Sequence, residues 1–434
     1  MASLTFPPTQ GRTSLPSEVA EREIDRLFSR TDRYPDEEID RFSVLLGSAD
    51  RPLWSKTPRL YIVLRTIGKL GVLDELIDDG FNDLWLPLSA EHIANYSCLS
   101  ETDFLTAQRT VLTDVVALER GRHQNLDLNV VPLESEGYLG RGSYGVVQKV
   151  SHFAQVFAQK TIWRQVNFST HRENMNSFKK ELEALRRLNH RHIVELKGSY
   201  TDQLRAALLM KPVADCNLAQ YFERAQNATG QDAVGRRSAI RSFFGCLTDA
   251  VAYVHKSQIR HKDIKPTNIL VHGTKVILTD FGTSRDWSDM SRSATTGPIE
   301  TGTREYRSPE VAKCKPRKSS SDIWSLGCVF LEMVTVLKGR RVEALKEHMR
   351  KETESQLYWC NLVSVERWIR QLRQREPSRD NIPLEWVEKM LQKVPGARCT
   401  AAELKADILG CGSPPGSRSP FCGDCCDGVN WVMV

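Results

Sequence analysis

The sequence predicts an α+β protein in three parts. A helical accessory region occupies 1–133, a β-rich piece passing into helices fills 134–409, and a cysteine-containing flexible tail covers 410–434. Three observations predict this order. Apolar residues recur at helical spacing ahead of Leu133, the period turns strand-like there, and amphipathic helical runs return from Phe178 onward.

A chain of 434 residues can bury one large core or two to three ordinary ones. Its 40% hydrophobic and 26% charged content belongs to globular protein, not to a disordered chain. The net charge of +6 is spread out, and the densest basic tracts, 313–318 and 338–341, read as solvated surface, so no nucleic-acid partner is expected. No uncharged apolar stretch reaches bilayer-spanning length, so no transmembrane segment is expected. The first ten residues lack the basic and apolar regions of a signal peptide, and seven of the eleven cysteines are scattered singly. Reduced thiols in the cytoplasm, or alternatively the nucleus, are the expectation.

Along the chain, Pro7, Pro8 and the stretch 11–17 look like a loose terminus. Ala20, Ile24, Leu27 and Phe28 then share a helical face, as do Ile39, Phe42, Leu45 and Leu46 before Gly47. Leu60, Leu64 and Ile67 continue the pattern to Gly68 or Gly71. Ser100, with Asp103 three residues later, marks the start of a helix carrying Phe104, Val111, Leu112 and Val115. No catalytic motif falls in this region. A small all-helical domain, or an extension packed on the β-rich piece, is expected, with packing and the binding of a partner protein as its role.

From Leu139 to Val147 the chain reads G-x-G-x-x-G-x-V, with Gly140, Gly142 and Gly145 as the glycines. Glycine lets a backbone approach phosphate closely and take positive φ at no steric cost. The hexad alone also fits a Rossmann crossover or a plain hairpin turn. A Rossmann unit needs a helix directly afterwards, whereas V-V-Q-K-V-S-H-F and Q-V-F-A-Q-K-T-I are both strand-like, which favours a hairpin. Alternation in the second strand sends Ala158 and Lys160 to one face. Phe178, Leu182, Leu185 and Leu188 mark a helix, and Ile240, Phe244, Leu247, Val251 and Val254 another.

That second helix leads into I-R-H-K-D-I-K-P-T-N-I-L, residues 259–270. Asp263, Lys265 and Asn268 are spaced too irregularly for one helix face, and Pro266 argues for a loop. A carboxylate, an ammonium and an amide held together suit phosphoryl transfer: one takes a hydroxyl proton, one meets phosphate charge, one holds a metal. Asp280-Phe281-Gly282 adds a second carboxylate ten residues on.

The loop resembles the H-R-D-x-K-x-x-N catalytic loop of eukaryotic-type protein kinases, and the resemblance, extending over about residues 134–409, takes in the serine/threonine branch through Lys265 and Thr303. It implies a bilobal fold, with a β-rich N-lobe and a helical C-lobe, joined here to an N-terminal helical extension. ATP and Mg²⁺ would be the cofactors, and proteins the substrates. The glycine loop would cover the phosphates, Lys160 would reach the α- and β-phosphates, and Glu181 would hold Lys160, with Glu183 the rival. The stretch 208–213 would be the inter-lobe hinge, with Met210 as gatekeeper and the backbone of Lys211 and Val213 bonded to adenine. Leu139, Val147, Ala158 and Leu270 would sandwich the base. Asp263 would accept the substrate hydroxyl proton, Lys265 would steady the γ-phosphate, and Asn268 and Asp280 would hold Mg²⁺.

Further on, G-T-R-E-Y-R-S-P-E at 302–310 resembles the close of an activation segment, with Ser308 in place of alanine. By the same resemblance Asp322, in D-I-W-S-L-G, would brace the catalytic-loop backbone, and Arg398 would pair with Glu310. The implied activity is ATP-dependent phosphorylation of protein serine or threonine; the alternative is a pseudokinase-type scaffold that binds partners without catalysis. Two departures stand out. Lys262 replaces the arginine that grips a phosphorylated activation segment by a bidentate fork, so weaker dependence on such phosphorylation is expected. Between Thr335 and Asn381 the charged helical pattern departs from the family's, so no docking surface is carried over. In the tail, Cys411, Cys422, Cys425 and Cys426 offer a zinc set or lipidation sites beside the unstructured reading.

Overall fold

The computed structural model describes residues 16–28, 32–114, 116, 121–127, 133–141, 145–164, 168–286, 304–374, 378–412, 417–423 and 425. They form two compact units. One gathers the described residues up to 134 with Thr161–Asn176 and Gly198–Leu208; the other holds Ser135–Lys160, Ser177–Lys197 and those from Leu209 on.

The first unit contains α1 (Ser17–Leu27), α2 (Asp36–Ser48), α3 (Pro58–Thr66), α4 (Leu73–Asp78), α5 (Ala90–Ile93) and α6 (Glu101–Gln108). α1 buries Ala20 and Ile24, and α2 buries Ile39, Phe42, Leu45 and Leu46, the faces that their spacing predicts. α3 is different, because every residue from Pro58 to Leu64 is buried. Its first turn is capped from outside: the Asp83 carboxylate accepts the backbone N–H groups of Arg59 at 2.9 Å and Leu60 at 3.1 Å. Burial nonetheless pushes the Asp83 carboxyl up to about 6. The buried Arg59 guanidinium pairs with Asp36 and donates to the Val111 carbonyl. Ser100 caps α6 by accepting from the Asp103 N–H. Because α6 ends at Gln108, Val111 and Leu112 lie beyond the helix predicted to carry them, and Val115 is outside the described residues.

The all-helical expectation for this region needs correction. Residues His123–Asn125 form strand β1, which pairs in parallel with Ser199–Thr201. Three polar residues offer no apolar alternation from which a strand could be read.

The following elements are β2 (Glu134–Arg141), β3 (Val146–His152), β4 (Gln155–Trp163), α7 (Phe168–Arg187), β5 (Glu195–Thr201) and β6 (Arg205–Lys211). The sheet order is β1-β5-β6-β4-β3-β2. The first half of α7 belongs to the first unit, where the Phe168 ring lies 5.6 Å from Phe81 and 5.9 Å from Trp85. His171 on the same helix sits 4.6 Å from both Trp85 and His92. Burial holds both imidazoles neutral, at about 4 for His92 and about 3 for His171.

Helices then dominate: β7 (Cys216–Asn217), α8 (Leu218–Asn227), α9 (Gly230–Lys256), β8 (Ile259–Arg260), β9 (Ile269–His272), β10 (Lys275–Leu278) and β11 (Arg285–Asp286) come first. α10 (Pro309–Ala312), α11 (Ser319–Leu337), α12 (Val342–Thr353), α13 (Leu362–Gln374), α14 (Ile382–Met390) and α15 (Ala401–Leu409) complete the unit. β9 pairs antiparallel with both β10 and β7, and β8 with β11. α11 is the core helix, packed on α9, α12 and α14. By length and composition it could cross a membrane, yet 94% of that stretch is buried in protein. Gly327 permits its close approach to α14, since a Cβ there would meet Met390 Cβ and Leu391 Cδ2 at 2.9 Å. In the stretch expected to be a flexible tail, Phe421 and Cys422 are buried, with Phe421 edge-on to Phe244 and Trp386.

Inside α11, Glu332 is 1% exposed and accepts the hydroxyls of Tyr306 and Tyr358 at 2.8 Å each. Burial above all pushes its carboxyl from 4.5 up to about 7. Within that window only the folded protein holds the proton, so this group's contribution to stability falls as pH rises from 4.5 through 7. Glu332→Gln keeps an acceptor for both tyrosines and removes the titration. Relative to wild type, the variant is expected to gain roughly 3 kcal/mol between acid and pH ~8 in urea melts. Parallel pH profiles for the two proteins would refute this.

Candidate active site

All described residues of the site lie in the second unit. The chain leaves α9, passes through β8, and turns at Pro266–Asn268 into β9, with Pro266 opening the turn where no N–H is needed. Asp322, at the start of α11 and 2% exposed, braces this loop. Its carboxylate accepts the backbone N–H of His261 at 3.0 Å and of Lys262 at 2.9 Å, and His255 Nε2 at 2.9 Å. Burial works to raise the Asp322 carboxyl, but the His255 bond and neighbouring imidazole charge hold it below the ordinary value. The brace accompanies a left-handed backbone at Lys262, φ 69°. His261 donates from Nε2 to the Thr279 carbonyl at 2.9 Å, which leaves Nδ1 to accept the Asp263 N–H at 3.3 Å.

Within the loop, Asp263, Lys265 and Asn268 come together. Lys265 Nζ donates to Asp263 Oδ2 at 2.7 Å, and Asn268 Nδ2 donates to both the carbonyl and Oδ2 of Asp263 at 2.9 Å. The amide is thereby oriented, with its nitrogen committed to Asp263.

A second cluster joins three distant segments. Lys160, in β4, donates from Nζ to both oxygens of Glu181 at 2.8 and 2.7 Å and to Asp280 Oδ1 at 2.7 Å. Lys160 and Glu181 are 4% and 1% exposed, so the carboxylates set the charge state of the ammonium. Burial alone would lower Lys160; the opposing charges of Glu181 and Asp280 outweigh it and hold the ammonium protonated. Glu181 is pushed up by burial, and Asp280 adds to the push. The rival Glu183 is exposed on α7. Asp280 adopts φ 67°, unusual for a residue with a side chain. Gly282 follows because a Cβ there would crowd Ser177 Oγ at 3.2 Å and Glu181 Oε2 at 3.3 Å.

The residues expected around a nucleotide sit on the neighbouring strands β2, β3 and β4, on the end of β6 and just past it at Val213, and on β9. Leu139 is 42% exposed and Ala158 and Met210 are buried, while Val147, Lys211, Val213 and Leu270 are half-buried. Lys211 points its ammonium at Gln155 Oε1, 2.8 Å away, and over the Phe157 ring. Gly140 is the last residue but one of β2 and Gly145 precedes β3; Gly142 lies outside the described residues, as does Thr303.

A family model described as a protein kinase domain matches residues 133–408. This chain belongs to the protein kinase family. Its fold is accordingly the bilobal one, with a β-sheet N-lobe and a helical C-lobe. The chain is 32% identical over 198 residues to mouse cyclin-dependent kinase-like 5, covering 45% of this chain and 20% of that protein. It is 30% identical over 273 residues to human serine/threonine-protein kinase H1, covering 61% of this chain and 58% of the relative. Serine/threonine-protein kinase nekl-2 of Caenorhabditis elegans is 28% identical over 224 residues, half of this chain and 61% of the relative. Each match thus spans less than two thirds of the relative's own length.

The kinase domain holds a further feature that sequence reading missed. A cavity beside Asp263 is lined by Lys262, Arg307, Arg317 and Lys318, with Tyr306 and Ser308. These cations come from separate stretches, and no short motif announces their convergence. The closing pair is also in place: Arg398 Nη1 and Nη2 donate to the Glu310 oxygens at 2.7 and 2.8 Å, with the guanidinium over the Trp324 ring.

Lys160→Met leaves Glu181 and Asp280 facing each other without a cation. Breaking a buried ion pair from one side costs about 3–5 kcal/mol, and Glu181→Gln in the same protein should recover part of that loss. Urea denaturation checks both; an unchanged midpoint for Lys160→Met would contradict the buried-cluster account.

Proposed function

We propose that this kinase domain is catalytically competent and transfers the γ-phosphate of ATP to serine or threonine hydroxyls of protein substrates. The supporting observation is the completeness of both clusters: Lys160 held by Glu181 and Asp280, and Asp263 ordered by Lys265 and Asn268. One ammonium among two carboxylates leaves an excess of negative charge at Asp280. Together with the Asn268 amide oxygen this is a hard-oxygen set that fits Mg²⁺. The ion, when bound, would neutralise phosphate charge as it develops.

In this reading Asp263 orients the substrate hydroxyl and takes its proton as the oxygen bonds to phosphorus. The bond from the γ-phosphorus to the bridging oxygen breaks, and ADP leaves with that electron pair. Lys265 steadies the transferring group, and Lys160 positions the α- and β-phosphates. Lys262 is a point charge where an arginine fork would grip a phosphorylated segment, so turnover should survive phosphatase treatment. The assay is labelled ATP, Mg²⁺ and a Ser/Thr peptide array. Asp263→Asn and Asp280→Ala are expected to lower incorporation by about 100- to 10,000-fold. Signal equal to wild type would remove the catalytic reading and favour a scaffold. Phosphatase-treated enzyme that is inert, and regains turnover on phosphorylation of one activation-segment site, would remove the Lys262 reading.

Phe81, Trp85 and His92 hold the first half of the helix whose second half carries Glu181. Trp85 is 1% exposed, and truncation to alanine should cost about 3–5 kcal/mol. Activity should fall at temperatures where circular dichroism still reports folded protein. Activity that tracks the folded fraction alone would show that the N-terminal region only stabilises the chain.

A further inference from the structure

Three residues from distant parts of the second unit meet away from the catalytic loop. His192 lies just before β5, Cys246 is in α9, and Cys425 is in the tail. His192 Nε2 is 3.1 Å from the Cys425 sulfur, and the Cys246 and Cys425 sulfurs are 3.3 Å apart. All three candidate ligand atoms fall within 4.8 Å of one another. We propose that this cluster is a zinc site with three protein ligands, His192 Nε2 and the sulfurs of Cys246 and Cys425, and solvent in the fourth position, fastening the tail to α9 and to the loop entering β5.

The donor chemistry selects the ion. Two sulfurs and an imidazole disfavour magnesium and calcium, which take oxygen, and suit zinc. Tetrahedral zinc, with bonds of about 2.3 Å to sulfur and 2.0–2.1 Å to nitrogen, sets neighbouring ligand atoms roughly 3.5–3.8 Å apart. The separations of 3.1 Å from Nε2 to the Cys425 sulfur and 3.3 Å between the sulfurs need only small adjustments to reach that. Binding requires no oxidant: Zn²⁺ replaces the two thiol protons, which pass to solvent.

A second observation concerns the imidazole. His192 is fully buried, and its Nδ1 lies 2.8 Å from the Val276 carbonyl, to which it donates. That bond fixes the tautomer and leaves the Nε2 lone pair directed at the sulfur, the arrangement by which ligating histidines are held. A Cys246–Cys425 disulfide would give the imidazole no role.

The backbone is also shaped for the approach. A Cβ on Gly423 would sit 2.8 Å from the Cys425 sulfur and 3.2 Å from that of Cys246. Gly245 donates its N–H to the Phe421 carbonyl at 2.8 Å, and a Cβ there would strike the Cys422 sulfur at 2.6 Å. Phe421 anchors the turn, and Cys422 adds a further thiol in C-x-x-C spacing with Cys425. The tail cysteines alone suggested a different set, because neither Cys246 nor His192 is near them in sequence. Cys426 lies outside the described residues.

The test uses the full chain, expressed with added zinc and purified under reducing conditions. Wild type should carry about one zinc per chain, and Cys425→Ser and His192→Gln should each lower metal content at least about tenfold. Cys98→Ser, at an exposed thiol, should not. Replacing zinc by Co²⁺ should give thiolate-to-cobalt absorption. Chelation should lower the melting temperature and speed trypsin cleavage at Arg418 in wild type but not in Cys425→Ser. If His192→Gln does not fold, the tail variant decides alone. Wild type that carries no zinc and takes up no cobalt overturns the proposal, as does an intact mass lighter by two thiol hydrogens, which reports a disulfide.

Discussion

The ammonium of Lys160 is the constraint on which the site depends. Two carboxylates converge on it, and the buried Glu181 would not be tolerated there as a charge alone, because it has lost its water. Three segments are therefore tied by one charge: β4 through Lys160, α7 through Glu181, and the stretch after β10 through Asp280. The positive φ of Asp280 and the missing side chain at Gly282 are local concessions to that meeting. A second tie operates lower in the unit. Asp322 fastens the loop that carries Asp263 to α11, and the Arg398–Glu310 fork ties down the start of α10.

What the sequence disclosed depended on range. Asp263, Lys265 and Asn268 fall within six residues, and the structure gathers them in one hydrogen-bonded group. Lys160, Glu181 and Asp280 are far apart in the chain, and only the family's spacing linked them before the geometry did. The faces of α1 and α2 were legible because amphipathic spacing survives at a surface. α3 was less so, since a helix buried on all sides has no periodic signature. β1 was invisible, its three polar residues being held by pairing with a strand more than seventy residues away.

Long-range meetings of ordinary residues explain the remaining gaps. The basic lining beside Asp263 and the His192–Cys246–Cys425 cluster each combine residues from segments with no common motif. Cys246 and His192 are buried in the core, and their chemistry depends on what the tail brings to them. Likewise Phe421 carries no signal in a stretch rich in Ser, Pro and Gly, yet it packs as firmly as any residue of the unit.

The division of α7 between two units bears on how this kinase can be handled in the laboratory. A recombinant fragment starting at the family boundary near residue 133 would omit Phe81, Trp85 and His92. Phe168 and His171 would then meet water instead of aromatic rings, and the outer edge of β5 would lose its β1 neighbour. An uncovered strand edge beside a newly wetted apolar helix face is a recipe for aggregation. Poor solubility of such a fragment would say nothing about the full chain, which keeps Phe81, Trp85 and His92 against the first half of α7.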